Sequence, residues 1–125
     1  MSAWMNAIAM QPLLHITRLP QWAQAQSEGI YRSDTLDTEG FIHCSTPGQI
    51  VRVANEFFSP EQELIVLCID SQRVAAEIKY EESEPGEKFP HIYGSLNIDA
   101  VVKVIELTPS ADGKFKLPQQ LVEFT

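Results

Sequence analysis

Two short segments of the chain carry the same pattern, a histidine followed two positions later by a hydroxyl side chain. They are His15-x-Thr17 and His43-x-Ser45. Because alternate residues of a β-strand point to the same face of a sheet, each segment would place an imidazole beside a hydroxyl. Such a pair can bind a sugar diol or a phosphate and can transfer protons near neutral pH. We therefore expect a functional site here; histidines that only form hydrogen bonds within a core are the alternative.

The third histidine, His91, lies in the sequence FPHIYG at 89–94. Pro90 restricts the backbone before it, and Gly94 permits a sharp bend after Tyr93. We expect a stiff turn that forms one wall of the pocket, with the Tyr93 ring available to stack on a ligand or to donate a hydrogen bond. The three histidines would then converge on one pocket. A purely structural turn is the alternative.

Other polar residues are expected to line the same pocket. Gln49 follows Ser45 by about one helical turn, and Tyr31 and Ser33 share one face of a preceding extended segment. The predicted catalytic residues are thus His15, His43, His91 and Tyr93, and the predicted ligand-binding residues are Thr17, Tyr31, Ser33, Ser45 and Gln49.

The elements that must position these residues follow from apolar periodicity. Apolar and β-branched runs predict strands at 13–17, 41–44, 63–70 and 100–107, with more exposed extended segments at 30–33 and 77–81. A helix is predicted from Pro20 to Glu28, ended by Gly29. A second helix is predicted from Ser45 or Thr46 to Phe57, because its apolar residues recur every three to four positions.

The remaining segments carry turn and loop signals. Residues 34–40 have turn chemistry, and 71–76 predict a single helical turn. The stretch 82–90 predicts an acidic, solvated Pro/Gly loop, although Glu81 or Glu82 could instead supply a carboxylate near the site. Strands and helices are mixed without strict alternation, which favours an α+β fold over a doubly wound one.

Length and composition limit the classes of protein to which the chain can belong. The chain has 125 residues, of which 44% are hydrophobic, as expected of one domain that buries a core. We interpret residues 1–11 as a loose N-terminal leader, since they lack the basic start and long apolar run of a secretory signal, and 12–125 as a single domain. No apolar run is long enough to span a bilayer, so no membrane association is expected.

Charge and cysteine content exclude several partners. The net charge is −8, and the nine basic residues are scattered, so nucleic acid is an unlikely partner. Cys44 and Cys68 lie in apolar runs and form no C-x-x-C motif, which predicts buried free thiols in a reducing cytoplasm. The strand histidines are not at the short spacings that zinc sites favour, so no metal is expected.

The order of these motifs resembles the bacterial domain-of-unknown-function 952 family over about residues 13–107. The resemblance rests on His15-x-Thr17, Tyr31-x-Ser33, the sequence EGFIHCS at 39–45, Gln49 and the sequence FPHIYG. The family is similar to compact members of the ADP-ribosyltransferase-like superfamily, including the NAD-dependent RNA 2′-phosphotransferases. The resemblance implies a split β-sheet cleft for NAD or a related ADP-ribosyl nucleotide, in which His15 and Thr17 contact the nicotinamide ribose. His43 and Ser45 would match the His-x-Ser strand of the phosphotransferases.

Three functional hypotheses stay open at this point. The first is a small NAD-utilising transferase. The second is a phosphoesterase, because paired H-x-[ST] strands are also typical of two-histidine phosphodiesterases that act on cyclic or RNA-end phosphates. The third is a non-catalytic ligand-binding module, since no glutamate and no arginine of the chain falls in a motif that the transferases or phosphotransferases use.

Overall fold

The computed structural model describes residues 12–60 and 62–124, which form antiparallel strands and short helices. The strands are β1 (Leu13–Arg18), β2 (Ile30–Tyr31), β3 (Ile42–His43), β4 (Leu64–Ile69), β5 (Glu77–Glu84), β6 (Glu87–Tyr93), β7 (Leu96–Asn97) and β8 (Val101–Leu107). The α-helices are α1 (Leu19–Glu28), α2 (Asp34–Glu39) and α3 (Ile50–Phe57), and 3-10 helices occupy Ser71–Arg73, Ile98–Ala100 and Gln119–Phe124. The predicted α+β fold is confirmed.

The central sheet has the order β1-β4-β8, with both pairs antiparallel. Every residue of β4 is buried, as its continuous apolar sequence predicts for a strand covered on both faces. Alternate residues of β4 belong to two separate cores, with Leu67 in the core that contains Trp22 and Tyr31, and Val66 in the core that contains Ile50. His15 and Thr17 point to the same side of this sheet as Leu13, because they are two and four residues along β1 from it.

A second sheet has the order β3-β6-β5 and meets the first one at the end of β3. Leu14 and Ser45 form an antiparallel bridge with backbone hydrogen bonds of 2.8 and 2.7 Å, while the Cys44 amide donates to the carbonyl of Pro90 at 3.0 Å. The segment from β3 to Ser45 therefore lies between β6 and β1. After leaving the first sheet, the chain thus returns beside its first strand.

The first helix begins and ends where the sequence predicts, within a residue. Pro20 lies in its first turn, and Gly29 closes it in the left-handed conformation, with φ of 84°. The other predicted helix begins later than expected, at Ile50, because residues 46–49 form a separate turn. Its apolar face is also narrower than predicted, since Ile50 is buried but Phe57 is 70% exposed.

Two segments predicted as irregular are regular. Residues 34–39 form α2 instead of a turn, with Asp34 in its first turn and Gly40 as its left-handed C-cap. Most of the predicted acidic loop is a hairpin, in which only Pro85 and Gly86 separate β5 from β6. His91 and Tyr93 consequently lie in a strand, so the prediction of a stiff turn at these residues was wrong.

The bend after β6 does require its glycine. Gly94 has φ of 156°, and a Cβ atom there would lie 2.9 Å from the Cβ of Ala76. Both cysteines, Cys44 and Cys68, are buried and free, as predicted. No helix in the described part of the chain is long and apolar enough to cross a membrane. The leader predicted at 1–11 lies outside the described residues.

Candidate functional site

A cleft of about 540 Å³ lies where the end of β3 meets β1, a size typical of small-molecule sites. Its lining includes both predicted histidine–hydroxyl pairs, because the bridge between β1 and Ser45 brings the two strands side by side. The predicted residues that line it are His15, Thr17, Tyr31, Ser33, His43 and Ser45.

His15 forms the floor of this cleft and is held on both ring nitrogens. Its Nδ1 atom donates to the backbone carbonyl of His43 at 2.6 Å, and its Nε2 atom lies 2.7 Å from the Tyr31 hydroxyl. Burial lowers the pKa of His15 to about 4, so the ring is neutral at pH 7. Because the carbonyl can only accept, the neutral ring carries its proton on Nδ1, and its unprotonated Nε2 atom faces the Tyr31 hydroxyl.

A line of hydroxyl contacts leads outward from His15. The Tyr31 hydroxyl lies 2.9 Å from Thr17 Oγ1, which lies 3.2 Å from Oε1 of Gln21 in α1. Burial raises the pKa of Tyr31 to about 12, so its proton stays in place at neutral pH. Gln21 also lines the cleft, and sequence analysis missed it. The sequence could have indicated Gln21, because it lies in the first turn of a helix that directly follows β1.

His43 occupies a different environment, at the rim of the cleft. Its side chain is 45% exposed, and its Nε2 atom lies 3.1 Å from Glu39 in α2. The edge of its ring contacts the Phe41 ring at a centroid distance of 4.8 Å. His15 and His43 therefore differ in exposure, so only His43 presents its ring to solvent for proton exchange.

His91 and Tyr93 lie beside the cleft and do not line it. The His91 ring stacks on Phe41 at 4.1 Å and meets the edge of the His43 ring at 5.3 Å. The Tyr93 hydroxyl and the His91 Nδ1 atom both bind the Glu81 carboxylate, the latter at 2.8 Å. These hydrogen bonds lower the pKa of Glu81, and the bond from Tyr93 has the larger effect. The rings of His43 and His91 contact each other, whereas the His15 ring contacts Tyr31. Of the three histidines, only His15 and His43 line the cleft, so the prediction that all three converge on one pocket was wrong for His91.

Gln49 also lies outside the cleft lining. Its side-chain oxygen accepts from the Thr46 amide at 3.0 Å, and its nitrogen donates to the Lys88 carbonyl at 2.8 Å and to Glu87 at 3.2 Å. It therefore fastens the start of α3 to the β5–β6 hairpin. The expectation that it points into the pocket was wrong, because the helix begins one turn later than predicted.

The charges around the cleft are mixed. Two guanidinium groups, Arg18 and Arg52, line it together with four carboxylates, those of Asp34, Glu39, Glu56 and Glu84. Arg52 binds Glu87 at 2.5 Å, and this contact raises its pKa. Neither arginine lies in a recognisable motif, so the sequence alone does not predict that they line the cleft. Within 12–60 and 62–124, no group of three or more His, Cys, Asp or Glu side chains could hold a metal ion.

Comparisons with known proteins identify a family and solved structures of similar fold. The model of the family described as "Protein of unknown function (DUF952)" matches residues 16–104. A crystal structure of protein CC0527 from Caulobacter crescentus has a TM-score of 0.81 and 28% sequence identity, covering 89% of this chain and 98% of that one. The solution structure of the same protein has a TM-score of 0.75, also at 28% identity, over 86% and 94% of the two chains. No curated protein matches the chain. Because the family model spans most of the sequence, the chain belongs to the DUF952 family of proteins of unknown function.

Proposed function

We propose that this protein binds NAD or a related ADP-ribosyl nucleotide in the cleft and acts on it as a small transferase. One observation supports this most directly. The two histidine–hydroxyl strands lie side by side, and Thr17, Ser33 and Ser45, each of which carries a hydroxyl, line one cavity. A row of hydroxyls and amides beside a fixed, neutral imidazole suits the paired hydroxyl groups of a ribose.

The mixed charge of the cleft favours a ligand that also carries both signs. NAD has a cationic pyridinium ring and an anionic diphosphate, whereas a nucleoside triphosphate is only anionic. Arg18 and Arg52 would contact the diphosphate, and carboxylates such as Glu39 would face the ribose or the pyridinium end. Four carboxylates in the lining disfavour a more highly charged phosphate ligand.

The residues of the cleft would have different roles, because their environments differ. His15 stays neutral and fixed, so it orients Tyr31 and Thr17 toward the ligand and does not transfer a proton. His43 is exposed, so it would accept the proton of the attacking group. His91 and Tyr93 would support His43 through the stacked Phe41 ring.

Isothermal titration with NAD, ADP-ribose and ATP tests the proposal. We expect NAD and ADP-ribose to bind with dissociation constants below 1 mM, a free energy beyond about −4 kcal/mol, and ATP to bind more weakly. Thr17→Val removes one cleft hydroxyl at constant size and should weaken binding about tenfold, the effect of losing roughly one hydrogen bond. Thr38→Val, on the exposed face of α2, is the matched control. Absence of binding at millimolar ligand would refute the proposal.

Following the fate of the bound ligand separates catalysis from simple retention. Release of nicotinamide from NAD, measured by chromatography and lost in His43→Ala, supports the transferase. Ligand that is recovered unchanged supports the non-catalytic module. The phosphoesterase alternative needs two imidazoles that exchange protons, yet both nitrogens of His15 are hydrogen-bonded within the protein. Hydrolysis of a 2′,3′-cyclic phosphate that is lost in His43→Ala would nevertheless establish it.

A further inference from the structure

A second hydrogen-bonded set of side chains lies on the hairpin of β5 and β6. The His91 Nδ1 atom lies 2.8 Å from Glu81 Oε1, and its Nε2 atom lies 3.3 Å from the hydroxyl of Ser83. Ser83 lines the cleft. A carboxylate, an imidazole and a serine are therefore connected in the order in which serine hydrolases use them, and such sets are recognised by geometry and not by their order along the chain.

The carboxylate determines which nitrogen of this imidazole carries the proton in its neutral form. Glu81 accepts from the Tyr93 hydroxyl as well as from His91, and these two donors lower its pKa. An ionised carboxylate can only accept, so the neutral His91 ring must carry its proton on Nδ1. Its Nε2 lone pair then faces Ser83. Phe41, stacked on the ring at 4.1 Å, holds the ring plane in this orientation.

The backbone at Ser83 turns its side chain toward the cleft. The pairing of β5 with β6 shifts register between Glu82 and Glu84, so Ser83 is the extra residue of a β-bulge. Bulges redirect a side chain and occur often beside active sites. Ser83 is exposed, whereas His91 is only 3% exposed. A ligand in the cleft can therefore reach the serine while the base stays shielded from water.

An apolar wall lines the same cleft and suggests the kind of group that would bind next to Ser83. It consists of Val53, Phe57, Phe58 and Phe89. Phe57 is the most exposed of the large apolar side chains in the described residues, at 70%. Arg52 lines the cleft as well, and guanidinium groups stabilise the negative charge that develops on a carbonyl oxygen under attack.

We propose that Ser83 is the nucleophile of an esterase activity toward carboxylic esters with short apolar acyl chains, an activity that does not depend on nucleotide binding. Ser83 Oγ bonds to the ester carbonyl carbon as its proton moves to His91 Nε2. The carbon–oxygen bond to the alcohol breaks, and the alcohol leaves with that proton. Water then attacks the acyl-serine, giving its proton to the same nitrogen, and the free acid leaves as Ser83 recovers its hydrogen. Glu81 is a positioning residue, since it acts only through His91.

Two probes of the intact chain test this proposal, p-nitrophenyl butyrate as substrate and an alkyl fluorophosphonate as covalent label. We expect saturable hydrolysis and a single phosphonate adduct, located on Ser83 by peptide mass spectrometry. Ser83→Ala should abolish the adduct and lower kcat/KM by about a hundredfold or more. Ser27→Ala, which removes an exposed serine of α1, should change neither. Glu81→Gln should lower kcat and leave KM unchanged, a split that a merely structural role would not produce.

Contrary outcomes are equally clear. An adduct on another residue, or no adduct, would overturn the proposal. So would hydrolysis that persists in Ser83→Ala, because the exposed imidazole of His43 can hydrolyse activated esters by itself. Ser83 is exposed, so its truncation leaves no buried cavity, and an unchanged circular dichroism spectrum would verify that the variant folds.

Discussion

Acid should destabilise this protein through His15, because burial lowers the pKa of its imidazole to about 4. In the unfolded chain the same group keeps a pKa near 6.5. Between about pH 6.5 and pH 4 the unfolded state therefore binds a proton that the folded state does not, so the free energy of unfolding decreases as the pH falls. Above about pH 6.5 both states are neutral, and this effect is absent.

The size of the effect follows from the two pKa values. They differ by about 2.5 pH units, and each unit corresponds to about 1.36 kcal/mol, so His15 should remove about 3 kcal/mol of stability by pH 4. For a domain whose stability is typically 5–15 kcal/mol, a loss of roughly that size is a large fraction.

Urea unfolding of the wild type and of His15→Asn, at pH 7, 6, 5 and 4, isolates this contribution. Asparagine keeps a donor near the His43 carbonyl, which accepts from His15 at 2.6 Å, and does not titrate. The variant should be less stable at pH 7, and the difference from the wild type should narrow by about 3 kcal/mol at pH 4. Parallel losses in the two proteins would refute the reasoning, as would an NMR titration that places the His15 pKa near 6.5.

Three further predictions concern single side chains. Tyr31→Phe should lower the free energy of unfolding by about 2 kcal/mol, because it leaves the buried Nε2 atom of His15 without its partner and removes one of the two partners of the Thr17 hydroxyl. Tyr80→Phe on exposed β5 should change the free energy of unfolding by less than about 0.5 kcal/mol, and urea unfolding measures both. Gly94→Ala should lower the melting temperature, with a loss of roughly 1–3 kcal/mol in the free energy of unfolding, because the added Cβ would lie 2.9 Å from Ala76. Gly48→Ala, where an added Cβ meets no atom within 4 Å, should leave the melting temperature unchanged. Asn55→Ala should speed hydrogen exchange of the Phe115 backbone amide, because that amide donates to the Asn55 side chain at 2.9 Å. An unchanged exchange rate would contradict this.

The parts of the site that the sequence could predict depend on short-range periodicity. His15 and Thr17 share a face because they are two residues apart in a strand, and the same holds for His43 and Ser45. Two segments with one pattern and room between them for a helix are enough to predict that the strands lie together. The Leu14–Ser45 bridge realises that prediction.

The parts that could not be predicted depend on contacts between distant elements. The acidic residues of the β5–β6 hairpin and its Pro85-Gly86 pair are typical of a solvated loop, so the sequence does not indicate that Ser83 lies in a strand beside His91. Glu81 and His91 meet because the hairpin register places them diagonally across two strands, which depends on a two-residue turn and a bulge. Arg52 reaches the cleft through the packing of α3, which no motif encodes.

The strand β5 pairs with β6 on one side and, within the described residues, with nothing on the other. An open edge eight residues long is normally a hazard, since it offers unpaired backbone groups to a neighbouring molecule. Five of its residues are charged: Glu77, Lys79, Glu81, Glu82 and Glu84. A second molecule added to that edge would have to bring most of these like charges together, so the acidity that hides the strand in the sequence also protects it from aggregation at high concentration.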